Sequence, residues 1–251
     1  MGSSDSGKQH IRVSGHRGFC GKYPENTLLS FSKALELGVD FIEFDVQLSK
    51  DKAPVIIHDS SLERTTNGTG YVKDHTLSEL KALDAGSWMS AAYAGERIPT
   101  LEEVVALVGK YPQVIMYVEI KECSAENADI TIDTLRREGC LNRCEFICFD
   151  AAILAHVKRK VPTAKIHGFP RHMMQNFQDG QEGTYAIMDF VGAHVSVATY
   201  ELVAFFDALH IVTEAWIVDD EKTAAAMIER GARILTSNNP DIILHYLKTR
   251  S

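Results

Sequence analysis

Strand-like and helix-like segments alternate along most of this sequence. The segments predicted as strands, each followed by a helical pattern, begin at Ile11, Phe41, Val114, Glu145, Lys165, His194, Thr213 and Arg233. Such alternation favours a parallel sheet covered by helices, and eight units are the number that closes into a barrel. The sequence therefore predicts an α/β fold, a (β/α)8 TIM barrel. A doubly wound open sheet is the alternative, but the first strand–helix turn lacks a glycine-rich phosphate-binding fingerprint.

One domain can account for nearly the whole chain. A barrel of 251 residues is an ordinary single domain, and we assign it residues 11–251. Between Asp59 and Arg97 the periodicity is lost and turn residues dominate, so residues 59–97 are predicted to form a small capping insertion over one face of the barrel. Residues 1–10 are small and polar, and we interpret them as a disordered leader or a remnant added for expression.

The charge and cysteine content limit the partners and the compartment. A net charge of -8 argues against nucleic acid or an anionic membrane as the main partner, so an anionic substrate needs a local cationic site. No apolar run approaches the roughly 20 residues of a transmembrane segment. The cysteines are odd in number, lack paired CxxC spacing and are expected to be free thiols, which favours the cytoplasm. They are Cys20, Cys123, Cys140, Cys144 and Cys148. A periplasmic or secreted location stays open if a signal peptide had been removed.

Two carboxylates lie inside an otherwise apolar strand that begins at Phe41. Glu43 and Asp45 are two residues apart, so in a strand they share one face. Adjacent acids in an apolar setting repel each other and are costly to desolvate without a cation. A divalent ion is the usual remedy. The alternative is a pair of solvated acids on an edge strand.

A hairpin follows this strand and brings a histidine toward the acid pair. Only Ser49 to Ala53 separate the strand from the next apolar run, too few for a parallel crossover, so the two runs are predicted to pair antiparallel. With the turn centred on Asp51 and Lys52, His58 lies opposite Asp45. His58 could instead be a surface histidine.

A third carboxylate, Glu119, ends another apolar strand, and Lys121 shares its face. With Glu43 and Asp45 it completes a set of oxygen ligands without soft atoms. Such a set suits Mg2+ or Ca2+ rather than zinc. The predicted cofactor is therefore one divalent cation, Mg2+ or Ca2+.

The first strand ends in His16 and Arg17. His16 and His58 are both able to exchange protons near neutral pH, one for an attacking hydroxyl and one for a leaving oxygen. Arg17 and Lys121 supply fixed positive charge for a phosphoryl group. Together with the acidic residues they indicate metal-assisted phosphodiester cleavage. The remaining histidines from residue 75 onward have no partner pattern and are expected on the surface or in the core.

Several short blocks in this chain resemble glycerophosphodiester phosphodiesterases, of the phospholipase C-like phosphodiesterase superfamily. They are His16-Arg17-Gly18, Pro24 to Thr27, Glu43-Phe44-Asp45-Val46, His58-Asp59, Arg64 to Gly68, Asp84 to Trp88, Ile98 to Leu101 and Glu119-Ile120-Lys121. The match is dense from Ile11 to Lys121 and thinner beyond, in Trp216 to Asp219 and Gly231 to Pro240.

The resemblance implies a barrel with a capping insertion and roles for its site residues. Glu43, Asp45 and Glu119 would bind the metal, His16 and His58 would be acid and base, and Arg17 and Lys121 would bind phosphate. Phe149 and Trp216 are candidates for the pocket that holds the substrate alcohol, and packing in the barrel core is the alternative for both. The departures are Lys52 in place of a common Gly, Cys148 in place of a small hydroxyl, and Ser237-Asn238 where an Asp usually follows the threonine.

The implied reaction is hydrolysis of a small glycerophosphodiester to glycerol 3-phosphate and an alcohol, as in lipid and glycerol metabolism. A related phosphodiesterase acting on lysophospholipids or phosphoinositides is an alternative, which an exposed apolar rim on residues 59–97 would support. A non-catalytic metal- or phosphate-binding module is the third hypothesis.

Overall fold

The structure, a computed structural model, describes residues 10–250, so all but the last residue of the predicted leader lies outside the described residues. One sheet contains every strand of the described region, in the order β1-β9-β8-β7-β6-β5-β4-β2-β3, and an additional β1–β2 pairing closes it. All pairs around the closed ring are parallel. The predicted (β/α)8 barrel is confirmed, with β3 outside the ring as the return arm of a hairpin.

The strands are short and end on one rim of the barrel. They are β1 (Arg12–Gly15), β2 (Phe41–Leu48), β3 (Pro54–Ile56), β4 (Ile115–Ile120), β5 (Cys144–Ile147), β6 (Lys165–Gly168), β7 (Phe190–His194), β8 (Val212–Trp216) and β9 (Ile234–Ser237).

All α-helices of the described region except the last begin at a side-chain cap. Thr27 caps the first helix by accepting the Ser30 N–H, and Gly38 ends it in the left-handed region with φ 85°. Thr100 and Glu103 form a capping box. The helices are α1 (Leu28–Leu37), α2 (Leu77–Ala82), α3 (Leu101–Val108), α4 (Ala125–Arg137), α5 (Ala151–Lys160), α6 (Tyr200–Ala208), α7 (Glu221–Glu229) and α8 (Pro240–Thr249).

The β2–β3 hairpin is antiparallel as predicted, but its register differs by one residue. Val46 pairs with Ile56, and the Ile57 N–H donates to the Asp45 carbonyl, so Ile57 rather than His58 lies opposite Asp45. The cause is the turn, which centres on Asp51 alone. Lys52 takes the left-handed conformation with φ 65°, as the last position of a three-residue hairpin loop requires.

The strand predicted from His194 is misplaced. The structure has β7 over Phe190–His194, and residues 195–197 form a turn. Gly192 weakens the strand pattern of the true segment, whereas the alternation of Val195 and Val197 resembles a strand. The glycine leaves room for its neighbours, because a Cβ there would lie 3.1 Å from the side chains of His167, Phe169 and Trp216, which is closer than ordinary van der Waals contact.

Residues 59–97 contain little regular structure and pack beside the hairpin. Besides α2 they hold two single 3-10 turns, Val72–Asp74 and Ala91–Tyr93. Their apolar side chains form a small cluster with β3, separate from the main core: Val55, Ile57, Leu62, Val72, Leu80, Ala85 and Ile98. Within residues 10–250, no helix has the length and apolar content needed to cross a membrane.

Candidate active site

A cavity at the carboxyl ends of the strands gathers almost all predicted site residues. Its volume is about 180 Å³, and its lining includes His16, Arg17, Glu43, His58, Glu119, Lys121, Phe149 and Trp216. The rest of the wall is Ile147, His167, Phe169, Glu214, Ile217 and Thr236. Asp45, the remaining predicted site residue, belongs to the same group as Glu43 and Glu119 and is fully buried. The carboxyl ends of the strands are where barrel active sites form.

Three carboxylates form a compact group, of which Glu43 and Asp45 are buried and Glu119 is partly exposed. Asp45 and Glu119 are paired residues on the neighbouring strands β2 and β4, and Glu43 precedes Asp45 on the same face. One oxygen from each of these three side chains lies within 4.8 Å of the others. Asp45 Oδ1 is buried and has no hydrogen-bond partner. An oxygen-only cluster with an unpartnered buried carboxylate oxygen fits a hard divalent cation.

The three carboxylates of this group repel one another. Burial raises the pKa of the Glu43 carboxyl well above its usual range, and the nearby Asp45 and Glu119 raise it further. Burial and Asp45 also raise the pKa of Glu119. For Asp45, burial acts in the same direction, but the cations Lys121 and Arg17 outweigh it and lower the pKa. A further positive charge would relieve the repulsion that remains.

Two cations border the carboxylate group. The Arg17 backbone N–H donates to Glu43 Oε2 at 2.7 Å, and its guanidinium lies 2.8 Å from Glu25 and 3.4 Å from Asp45. Lys121 Nζ lies 2.7 Å from Glu119 and 3.6 Å from Asp45. Arg17 has a positive φ of 50°, which turns the chain sharply at the end of β1. Both cations therefore reach the cavity while anchored to its acids.

The two histidines differ in their partners. His16 Nδ1 lies 2.7 Å from Asn238 Oδ1, and burial, aided by the Arg17 charge, lowers its pKa to about 4. His58 Nδ1 lies 2.6 Å from Asp59 Oδ1. Hydrogen bonds from Arg64, and then from His58, hold the pKa of Asp59 well below its usual range. His16 thus has a neutral amide as its partner, and His58 has a carboxylate.

Several supporting residues escaped the sequence interpretation. The buried Gln47 donates from Nε2 to the carbonyls of Ile57, His58 and Asp59, at 3.1, 2.9 and 2.6 Å. Gln47 continues the alternation of Glu43 and Asp45 along the strand, so the sequence already placed its side chain on the same face. Asn26 donates to Asp45 Oδ2 at 2.7 Å.

Deeper in the barrel, His167 is part of a buried polar pair. Its Nε2 lies 2.8 Å from Glu214 Oε2, and Thr236 donates its hydroxyl hydrogen to the same carboxylate. The expectation of a surface or core position for His167 is confirmed as core. Its partner comes from a strand far along the chain, so no local pattern could reveal the pair. Phe149 stacks on Phe169 with ring centroids 3.7 Å apart and forms one wall of the cavity.

A closed (β/α)8 barrel with clustered acids, two histidines and two cations in one rim cavity defines a barrel enzyme. The glycerophosphoryl diester phosphodiesterase family model matches residues 16–242, and the chain belongs to this family. As a member of it, the protein is a phosphodiesterase.

Known proteins of this family resemble the chain over nearly its whole length. A glycerophosphodiester phosphodiesterase of Caldanaerobacter subterraneus subsp. tengcongensis is 34% identical over 94% of this chain and 97% of that protein. One from Bacillus subtilis is 47% identical over a shorter stretch, 42% of this chain and 38% of that protein. A phosphodiesterase from Oleispira antarctica, solved with the product sn-glycerol-3-phosphate, is 30% identical with a TM-score of 0.86, covering 94% of this chain and 96% of that one.

Proposed function

We propose that this protein hydrolyses small glycerophosphodiesters to glycerol 3-phosphate and an alcohol, with a divalent cation and a histidine pair. The observation that carries the proposal is the convergence of three carboxylates and two histidines in one cavity. The product bound to the Oleispira relative supports glycerol 3-phosphate as the product here.

Glu43, Asp45 and Glu119 would hold the metal ion, as predicted from the sequence. Their oxygen atoms suit Mg2+ or Ca2+, and a cation would relieve the repulsion that raises the pKa of Glu43. When bound, such an ion polarises a phosphoryl oxygen and stabilises the charge that develops in the transition state. The protein itself keeps the ligands deprotonated and fixed in place. Arg17, Lys121 and Asn26 contribute through their contacts with the carboxylates.

His16 and His58 would move the protons. Both line the cavity, and in each ring Nδ1 is bonded to a neighbouring side chain. Nε2 is therefore the atom left for the substrate. One ring takes the proton of the attacking oxygen, supplied by water or by the substrate hydroxyl next to the ester, as the new bond to phosphorus forms; in the second case water then opens the cyclic ester to give glycerol 3-phosphate. The other delivers a proton to the leaving oxygen as its bond to phosphorus breaks.

The cavity would also bind and orient the substrate. Arg17 and Lys121 would contact the phosphate oxygens, since both line the cavity beside the carboxylates. Phe149 and Trp216 would pack against the carbon atoms of the substrate alcohol. An in-line attack requires these contacts to hold the reacting oxygen near phosphorus, and such orientation lowers the activation barrier.

One assay tests the proposal. The protein is incubated with glycerophosphocholine, glycerophosphoethanolamine and a set of lysophospholipids, with EDTA and with Mg2+ or Ca2+ restored. Glycerol 3-phosphate is measured for the small diesters, and the released choline or ethanolamine is measured for every substrate. We expect release from the small diesters that EDTA abolishes and one of the two ions restores. The His16→Ala/His58→Ala double variant is the matched blank for contaminating activity.

Two other outcomes would revise the proposal. Turnover of lysophospholipids alone would favour the lysophospholipid alternative. The exposed Tyr71 and Trp88 of residues 59–97, 54% and 40% accessible, would then be the surface to examine. Release that persists at full rate in EDTA would contradict the metal requirement, and no turnover of any diester would contradict the hydrolytic function.

A further inference from the structure

Asn238 connects His16 to a carboxylate outside the cavity. The His16 Nδ1 to Asn238 Oδ1 distance is 2.7 Å, and Asn238 Nδ2 donates to Asp219 Oδ2, also at 2.7 Å. Asp219 is held in turn by the β9–α8 loop, since its Oδ1 accepts the Asn238 backbone N–H and the Ser237 hydroxyl hydrogen. The loop thus fixes Asp219, Asp219 orients Asn238, and Asn238 contacts the ring of His16.

This chain of contacts determines which nitrogen of His16 carries a proton. The carboxylate of Asp219 only accepts hydrogen bonds, so the amide of Asn238 must turn its NH2 group toward Asp219. Asn238 Oδ1 then faces His16 and can only accept. A second donor, the thiol of Cys20, meets the same oxygen at 2.9 Å. The ring nitrogen opposite this oxygen, Nδ1, must therefore be the protonated one.

We propose that Asp219 and Asn238 are positioning residues that hold His16 as its Nδ1–H tautomer, so that Nε2 is the base that accepts the proton of the attacking hydroxyl. The inference rests on the proposed histidine pair and assigns the roles within it. The hydroxyl proton moves to His16 Nε2 as the new oxygen–phosphorus bond forms. The bond from phosphorus to the leaving oxygen breaks, and His58 supplies that oxygen with its proton.

The surroundings of His16 keep the ring neutral, as a base requires. Burial and the Arg17 charge disfavour the imidazolium, and together they outweigh the opposite effect of Asn238, Asp45 and Glu25. His58 differs in its partner, because its Nδ1 faces the carboxylate of Asp59 at 2.6 Å. A pair of titratable groups with opposed surroundings is the usual arrangement of an acid and a base in one site.

The inference depends on Asp219, because the oxygen and the NH2 group of the Asn238 amide are similar in size and could exchange places. Without a carboxylate to attract its NH2 group, the Asn238 side chain could turn over and donate to His16 Nδ1. The neutral ring would then carry its proton on Nε2, which could no longer accept one from the hydroxyl. A histidine in the wrong tautomer loses most of its catalytic effect even when its position is unchanged.

Nitrogen-15 NMR of the histidine rings tests the tautomer directly. The full chain is labelled at histidine and measured with Mg2+ present, and the His16 signals are assigned by their absence from His16→Ala. We expect a protonated Nδ1 and an unprotonated Nε2 in the wild type. Asn238→Ala should lose this preference, and its kcat should fall by about tenfold to a hundredfold with KM changed less than about threefold.

Exchanging the side chains of residues 219 and 238 gives the most discriminating variant. Asp219→Asn/Asn238→Asp restores an acceptor for His16 and a donor for that acceptor, so it should keep the Nδ1–H tautomer and recover most of the kcat lost in Asn238→Ala. Cys20→Ala is the control. It removes the thiol that donates to Asn238 Oδ1 and lies 4.0 Å from His16 Nδ1, but it leaves Asp219 to orient the amide, so it should match the wild type in tautomer and kcat.

The inference is overturned by a wild-type ring protonated on Nε2, by an Asn238→Ala protein with wild-type tautomer and kcat, or by an exchange variant no better than Asn238→Ala. If Cys20→Ala were as impaired as Asn238→Ala, the loss would reflect a general disturbance of the loops around His16. That result would also overturn the inference. The NMR result needs no turnover. A wild type inactive on every diester would therefore contradict the proposed function while the spectra still decide the tautomer.

Discussion

The proposed mechanism assigns proton transfer to His16 and His58. Replacing either with Ala should lower kcat by about a hundredfold or more, because a positioned acid or base contributes at least that much. Each ring is bonded at Nδ1 and partly accessible from the cavity, so its removal should leave the barrel folded.

Steady-state kinetics of His16→Ala and His58→Ala, with circular dichroism to confirm folding, check this prediction. His245→Ala is the control, since His245 is exposed on α8. Unchanged turnover in either variant would remove that histidine from the mechanism.

Glu119 should decide how tightly the metal ion binds. Glu119→Gln keeps the size of the side chain but removes one of three negative charges, and its side-chain contact in the structure is with Lys121. We expect the metal affinity to fall by at least about tenfold, because even groups one contact removed from a metal ligand have effects of that size.

Isothermal titration and the Mg2+ or Ca2+ concentration for half-maximal activity measure this change. High metal concentration should restore part of the activity. Glu126→Gln removes an exposed acid paired with Lys52 and is the control. Equal metal affinity in Glu119→Gln and the wild type would exclude Glu119 as a ligand.

The β2–β3 hairpin positions His58 through one amide. Gln47→Met keeps the volume of the side chain but removes the donor shared by the carbonyls of residues 57–59. We expect a loss of about 1–3 kcal/mol in the free energy of unfolding, the cost of leaving buried polar groups without a partner. The His58 ring should also shift, with kcat lowered about tenfold to a hundredfold.

Urea unfolding and steady-state kinetics test the role of Gln47. His58→Ala and the double variant complete a cycle, and the kcat effect of Gln47→Met should largely vanish when His58 is absent. Additive losses would show that Gln47 acts on the site by another route.

Local signals identified most of the residues that the structure gathers at the candidate site, and tertiary contacts account for the misses. Glu43, Asp45 and Glu119 were predictable because an acid in an apolar strand is conspicuous and strand alternation fixes its face. The hairpin register was one residue off because Lys52 adopts a conformation that usually needs glycine. The start of β7 was wrong because Gly192, which lies against rings from other strands, weakens the local strand pattern. Asp219 and Glu214 act on residues distant in sequence, which no local pattern reveals.

The barrel as a whole should lose stability as the pH rises, through a buried acid below the cavity. Glu145 on β5 is 4% exposed, and its Oε2 is buried without a hydrogen-bond partner. Burial raises its pKa to about 7, whereas an unfolded chain keeps the ordinary value near 4.5. The folded state therefore binds this proton more tightly, and deprotonation favours unfolding.

The sign and window of this effect follow from the two pKa values. Below the ordinary carboxyl pKa the group is protonated in both states, and its full stabilising effect is present. As the pH rises toward and through 7, the folded protein must give up the proton, and that effect is lost.

Glu145→Gln, which mimics the protonated group, should therefore be more stable than the wild type above pH 8, by up to about 3 kcal/mol. Unfolding midpoints from pH 5 to 9 measure the difference, with the exposed Glu182→Gln as control. A difference independent of pH would mean that Glu145 is already ionised in the fold and that other groups in the barrel interior stabilise its charge.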